Sequence, residues 1–308
     1  GLFLIGDWKS WAFLRVQAYV ALTCSFAHIF YANFNFSLFR SADAARPEVI
    51  TVVPLVGIYF FIYWQLHGKK ALASRLESSI RVEHLLACLG TATLAALARF
   101  ELPLETVAVG YATLVVAALL AAWRTRLQVF LYQALALLGM AAFRISMYNF
   151  YHLRESFGSS LPSSVWTIVV LAAGVPICLA IRKSAAQTFA GPRWAAMLAR
   201  HSEQPMFFVP FALMAALLAL RVDPGMITLS WGAQAVVVFV LALWAKERSF
   251  RLAGLALLAG CFAKLVVWDV WQLNDPTARY LTLIGVGSLF LVVSYLFSRN
   301  REAFREYL

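Results

Sequence analysis

The chain has 308 residues, of which 62% are hydrophobic and 13% charged, with a mean hydropathy of +0.75. A soluble domain is about half apolar and a quarter charged, so that class is excluded. The apolar residues run in stretches of about 17–24, the length that crosses about 30 Å of hydrocarbon as helix, and the roughly ten-residue alternating segments of a β-barrel are absent. The formal charge of +11 does not indicate nucleic acid, because the cations punctuate apolar segments instead of gathering on one soluble face.

In chain order, residues 1–7 read as the tail of a preceding helix whose N-terminal part is truncated, with no basic region and cleavage site of a signal peptide. Ten spans follow, at 11–36, 47–66, 82–99, 104–123, 127–150, 163–181, 205–221, 226–245, 251–270 and 279–298. The expected fold is all-α: a polytopic transmembrane helical bundle of about ten membrane-spanning helices. The loops alternate in charge. Those on the side of the N-terminus carry 18 of the 26 lysines and arginines, the opposite side six, and Arg144 and Lys264 lie within spans. Cytoplasmic loops are enriched in lysine and arginine, so both ends are expected in the cytoplasm of a bacterial cell, with the chain in its inner membrane. Two longer cytoplasmic stretches, 67–81 and 182–204, have the amphipathic pattern of interfacial helices. Cys24, Cys88, Cys178 and Cys261 occur singly and are expected to be small buried hydrophobes.

The segments repeat. Trp8, Trp123 and Trp244 each close a span beside or near a cation, and 20 or 21 residues later come His28, Arg144 and Lys264. Five further on are Asn33, Asn149 and Asp269. Arg99 and Gly110 recur as Arg221 and Gly232, 122 positions later. The spacing predicts parallel four-helix repeats of about 120 residues, an even number of spans placing successive copies in the same orientation. The expected divisions are 1–7, 8–123 (first repeat), 124–244 (second repeat) and 245–308 (two spans of a third repeat and a cytoplasmic tail).

Charges inside a bilayer cost at least about 2.5 kcal/mol on insertion scales and usually face a partner or a cavity. Lys264 has Trp268 at i+4, placed for a cation–π contact, and Asp269 at i+5, which an α-helix puts about 140° away around its axis. His28, Arg144 and Lys264 are expected at matched depth in the outer leaflet. There they either meet in a pocket suited to an anionic lipid headgroup or remain three separate residues. Bound lipid is the expected ligand, and no other cofactor and no metal is expected. The pair Arg15 and His28 invites comparison with ten-span membrane acyltransferases, where a histidine acts as base. No P-loop, dinucleotide, metalloprotease or serine-hydrolase motif occurs.

Arg251-Leu-Ala-Gly-Leu-Ala-Leu-Leu258, Lys264-Leu-Val-Val-Trp-Asp269, Ala278-Arg279-Tyr280, Gly285-Val-Gly287 and Ser294-Tyr295-Leu-Phe-Ser-Arg299 resemble the C-terminal repeat of a large bacterial family of many-spanning predicted membrane proteins with a domain of unknown function. The resemblance implies a repeat-rich inner-membrane protein and gives Lys264, Asp269 and Arg279 as the family's lysine, aspartate and arginine. It implies no activity. The function expected is that of a non-enzymatic scaffold or accessory subunit of a larger membrane assembly, with lipids and other membrane subunits as partners and no nucleic acid. A transporter or flippase of an anionic lipid or envelope precursor is the first alternative, and an acyltransferase-like enzyme the second. The candidate ligand residues are His28, Asn33, Arg144, Asn149, Lys264, Trp268, Asp269 and Arg279.

Overall fold

A computed structural model describes residues 1–9, 11–29, 31, 47–68, 82–151, 161–184, 197, 200–223, 226–245, 248–269 and 276–299. All regular structure among them is helical. Backbone amides in hydrocarbon have no water to bond, so a spanning segment must satisfy them within itself, as a helix does. The helices are α1 (Leu2–Trp8), α2 (Ala12–His28), α3 (Pro47–Gly68), α4 (Val82–Glu101), α5 (Val107–Thr125), α6 (Gln128–Arg144), α7 (Leu161–Ser184), α8 (Glu203–Arg221), α9 (Ile227–Ala245), α10 (Arg248–Lys264) and α11 (Pro276–Arg299). The stretches 67–81 and 182–204, expected as interfacial helices, lie mostly outside the described residues.

Among the described residues, six segments are long and apolar enough to cross a membrane: α4, α5, α7, α8, α6 extended to Asn149, and Ser249–Val267 along α10. Thr51–Leu66, Ile227–Leu243 and Thr282–Tyr295 are apolar but shorter. The surface is apolar, as hydrocarbon requires. Phe13, Phe143, Val267, Ile284 and Leu291 are all more than two-thirds exposed.

Lengths and contacts recur along the chain. α2, α6 and α10 are each 17 residues long, α5 and α9 are each 19, and α7 and α11 are each 24. α5 starts at position 107 and α9 at 227, α6 at 128 and α10 at 248. The close hairpin α5–α6 is matched by α9–α10 and by the short α1 against α2. α5 also packs on α7 as α9 does on α11, and α3 on α4 as α7 does on α8.

The core is divided in the same way. The largest cluster runs through α4 to α8 around Leu86's neighbour Ala87, Leu119, Leu131, Leu138, Ile145, Leu171 and Met206. A second joins α1 to α4 through Phe3, Tyr19, Tyr59 and Leu86, and a third joins α9, α10 and α11 through Phe239, Leu258 and Val293. Where helices cannot gain from expelling water, they associate by close contact over small residues. The seventh residue of each 17-residue helix is small and buried: Ala18, Ala134 and Gly254. At Gly254 the backbones meet closely, since a Cβ there would lie 3.2 Å from both the Ala235 carbonyl oxygen and the Phe239 amide nitrogen.

The hairpin α5–α6 turns through Arg126 and Leu127 alone. Arg126 takes the left-handed conformation (φ 58°), and its amide donates to the Ala122 carbonyl, closing α5. The cysteines divide. Cys178 and Cys261 are buried as expected, whereas Cys24 and Cys88 are exposed on the apolar outer surface, where a small apolar side chain is equally at home.

Gly254→Leu is expected to destabilise the chain by about 1–3 kcal/mol through overpacking of α9 against α10. Gly260→Leu, one and a half turns on and with no atom within 4 Å of its Cβ position, is expected to leave stability unchanged or raise it. Thermal unfolding of the two detergent-purified variants, followed by the loss of monodisperse protein, makes the comparison.

Candidate functional site

Three 17-residue helices end on the three residues that stood out in the sequence. α2 ends at His28, α6 at Arg144 and α10 at Lys264. The backbone then passes into π-helix, over Ile145–Asn149 after α6 and Leu265–Asp269 after α10, and Ile29 and Tyr31 have the same conformation after α2. Seventeen residues rise about 25 Å, so all three sit at the far end of their helices.

A π-turn changes which residues share a face. An α-helix sets i and i+5 about 140° apart, but the i→i+5 hydrogen bond of a π-helix brings residues five apart to about one turn. Arg144 and Asn149 reach adjacent carbonyls of the α4–α5 turn. Arg144 Nη2 donates to the Leu104 oxygen at 2.8 Å, and Asn149 Nδ2 to the Glu105 oxygen at 3.1 Å. Asn149 is fully buried and its Nδ2 also lies 3.4 Å from Ser163 Oγ on α7. The guanidinium of Arg144 stacks on Tyr148, 3.9 Å from the ring centre. The 140° separation expected at i+5 for Lys264 and Asp269 on an α-helix does not hold at Arg144 and Asn149, which a π-turn joins.

Lys264 Nζ donates to Thr228 Oγ1 at 2.8 Å, tying the end of α10 to the first turn of α9, where Thr228 is fully buried. The π-turn after Lys264 includes Trp268 and Asp269 in its backbone, and Arg279 lies in α11. Their side chains lie outside the described set, as does Asn33. His28 is exposed and borders an open groove of about 530 Å³ between α2 and α3, with Cys24, Ser25, Thr51, Pro54 and Leu55. Arg15, buried on the same helix, is thirteen residues away, or roughly 20 Å along the axis.

The three groups occupy three separate settings. The groove at His28 is lined by α2 and α3, Arg144 faces the α4–α5 turn, and Lys264 faces the start of α9.

A further polar centre lies where α7 ends and α8 begins. Glu203, in the first turn of α8 and 1% exposed, takes a hydrogen bond and ion pair from Arg182 Nη1 at 3.0 Å, and His201 Nδ1 is 3.8 Å from the same oxygen. Its second oxygen, Oε2, is buried with no hydrogen-bond donor among the described residues. A carboxylate at a helix N-terminus is favoured by the helix dipole, and pairing with Arg182 offsets its burial. The sequence offers only a weak signal for this centre: Glu83 opens α4 as Glu203 opens α8, 120 positions apart.

Residues 2–300 match the family described as predicted membrane protein (DUF2339), and the chain belongs to that family. No curated protein and no solved structure matches it.

The contact between Lys264 and Thr228 is expected to show a favourable coupling of about 0.6–1.7 kcal/mol, the range of interhelical polar pairs in membranes. The Lys264→Met, Thr228→Val and double variants form the cycle, read by unfolding in mild detergent. Additive losses would remove the pair as a structural contact. Asn149→Leu is expected to cost about 1–3 kcal/mol, because it leaves the Glu105 carbonyl without its side-chain donor.

Proposed function

We propose, from membership in a family of predicted membrane proteins, that this chain is a non-enzymatic structural component, a scaffold or accessory subunit of a larger membrane assembly. The observation that carries this reading is how the polar groups inside the apolar helices are used. Arg144, Asn149 and Lys264 hydrogen-bond the protein's own carbonyls and hydroxyl group. Intramembrane polar groups that serve transport usually line a cavity or a water-filled path. These instead tie neighbouring helices to one another.

The proposed architecture is ten spans in parallel four-helix repeats, 8–123 and 124–244, with two spans of a third at 245–308. It is supported by the 120-position recurrence of α5, α6 and the π-turn as α9, α10 and the second π-turn. The eighteen-to-six division of cations supports a bacterial inner membrane with both ends of the chain on the cytoplasmic side. A repeated, lipid-facing bundle of this kind offers long apolar faces to lipids and to neighbouring membrane subunits.

One observation favours the second reading, a transporter or flippase: the open groove at His28, which brings a titratable side chain, Ser25 and Thr51 to an otherwise apolar recess. The two readings predict different results in vesicles. The scaffold reading expects fluorescent anionic lipids to exchange between leaflets no faster with the protein than without it. It also expects Arg144→Met and Lys264→Met to lower the amount of folded protein, with any envelope defect in cells scaling with that loss. Exchange that is faster with the wild-type chain and abolished in a normally folded His28→Leu variant would overturn the scaffold reading and establish the other.

A further inference from the structure

The groove beside His28 continues a helix pair that is already in place. α1 runs antiparallel to α2. Phe3 lies against Tyr19 with ring centres 6.1 Å apart, and a Cβ on Gly6 would meet Leu14 Cβ at 3.0 Å and the Arg15 amide nitrogen at 3.1 Å. Phe3 also enters the core that Tyr19 shares with Tyr59 and Ile62 of α3. Antiparallel helices advance by equal steps of about 1.5 Å per residue, so the position facing His28 in this register lies roughly seven residues ahead of Gly1. Cys24, Ser25 and His28 of α2 and Thr51, Pro54, Leu55 and Ile58 of α3 line the groove there.

The other two helix pairs show what occupies this place. α5 packs on both α6 and α7, and α9 on both α10 and α11. α5 and α9 are each 19 residues long, whereas α1 is 7, twelve fewer. The start of each long helix is also where the cation closing the next helix finds its partner. Arg144 donates to the Leu104 carbonyl just ahead of α5, and Lys264 to Thr228 in the first turn of α9. His28 closes α2 as those two close α6 and α10, but it is exposed and has no hydrogen-bond partner among the described residues. Ionisable side chains within membrane spans characteristically face a partner.

We propose that the groove is the seat of a helix: about twelve residues that continue α1 on the N-terminal side of Gly1 and lie between α2 and α3 as α5 lies between α6 and α7. The occupant is apolar where it meets Leu55 and Ile58, and its first turn supplies the partner of His28. The proposal rests on the repeat architecture given above, and it assigns the groove to the protein's own chain in place of lipid in passage.

The test places the photo-reactive residue benzoylphenylalanine at Ser25 or at Leu55 of the natural polypeptide in its own membrane, and maps the adducts by mass spectrometry after digestion. Both positions are expected to capture the peptide immediately ahead of Gly1. Capture only of lipid, of residues 32–46 or of a separate chain overturns the proposal. So does an intact mass that leaves fewer than about twelve residues ahead of Gly1. The same probe at Leu289, whose Cδ1 lies 2.7 Å from the Cβ position of Gly232, is expected to capture α9. Failure at Leu289 overturns the repeat packing itself. Success there with failure at Ser25 and Leu55 overturns only the helix in the groove. His28→Leu supplies an independent readout, a lower melting temperature for the natural polypeptide and none for the chain of 308 residues. An equal effect on both, or no effect on either, overturns the proposal.

Discussion

Backbone hydrogen bonding in hydrocarbon is the constraint on which the rest of this structure depends. A continuous α-helix meets it without help, but an irregular segment is tolerated only where the protein itself supplies the missing partners. The π-turn after Arg144 and the turn between α4 and α5 are two such segments, and each completes the other. The π-turn aims Arg144 and Asn149 at the Leu104 and Glu105 carbonyls, and the turn gives those two side chains acceptors. Neither irregularity is readily kept without its counterpart. That mutual dependence explains why strongly polar side chains persist here despite their insertion cost.

Elsewhere the bundle is joined by single side chains that reach a neighbouring helix's carbonyl or polar group. Tyr59 donates to the Leu22 oxygen, Trp231 to the Ala215 oxygen and Gln234 to the Phe211 oxygen, while Thr91 meets Gln133 at 2.7 Å. Each such bond contributes on the order of 0.6 kcal/mol in a membrane. Their value is as much in register as in energy, because apolar ridges alone permit helices to slide. Close packing over Ala18, Ala134 and Gly254 sets the distance, and the polar ties set the alignment.

Much of this was legible in the residues. Apolar runs and tryptophan–cation pairs marked the helix ends, and the recurrence of Trp123 as Trp244 and Arg144 as Lys264 anticipated the matching lengths of α6 and α10. The π-turn was not legible. Arg144 to Asn149 contains no proline or glycine to break an α-helix, and the side chains that favour α also permit π. The change appears only once Leu104 and Glu105 stand opposite. Glu203 escaped notice for a related reason: a lone acid in a polar stretch looks solvated until α7 and α8 close over it. Whether His28, Arg144 and Lys264 met or stood apart depended on helix arrangement, which a sequence period does not specify.

The two-residue turn at Arg126 bears on how the protein is made. With only Arg126 and Leu127 between α5 and α6, the second helix cannot wait in water while the first enters the bilayer. The two run in opposite directions from one short turn, and neither helix can reverse its direction unless the other does. Topogenesis for this stretch is decided pairwise, with Arg124 and Arg126 at the one turn that both helices share.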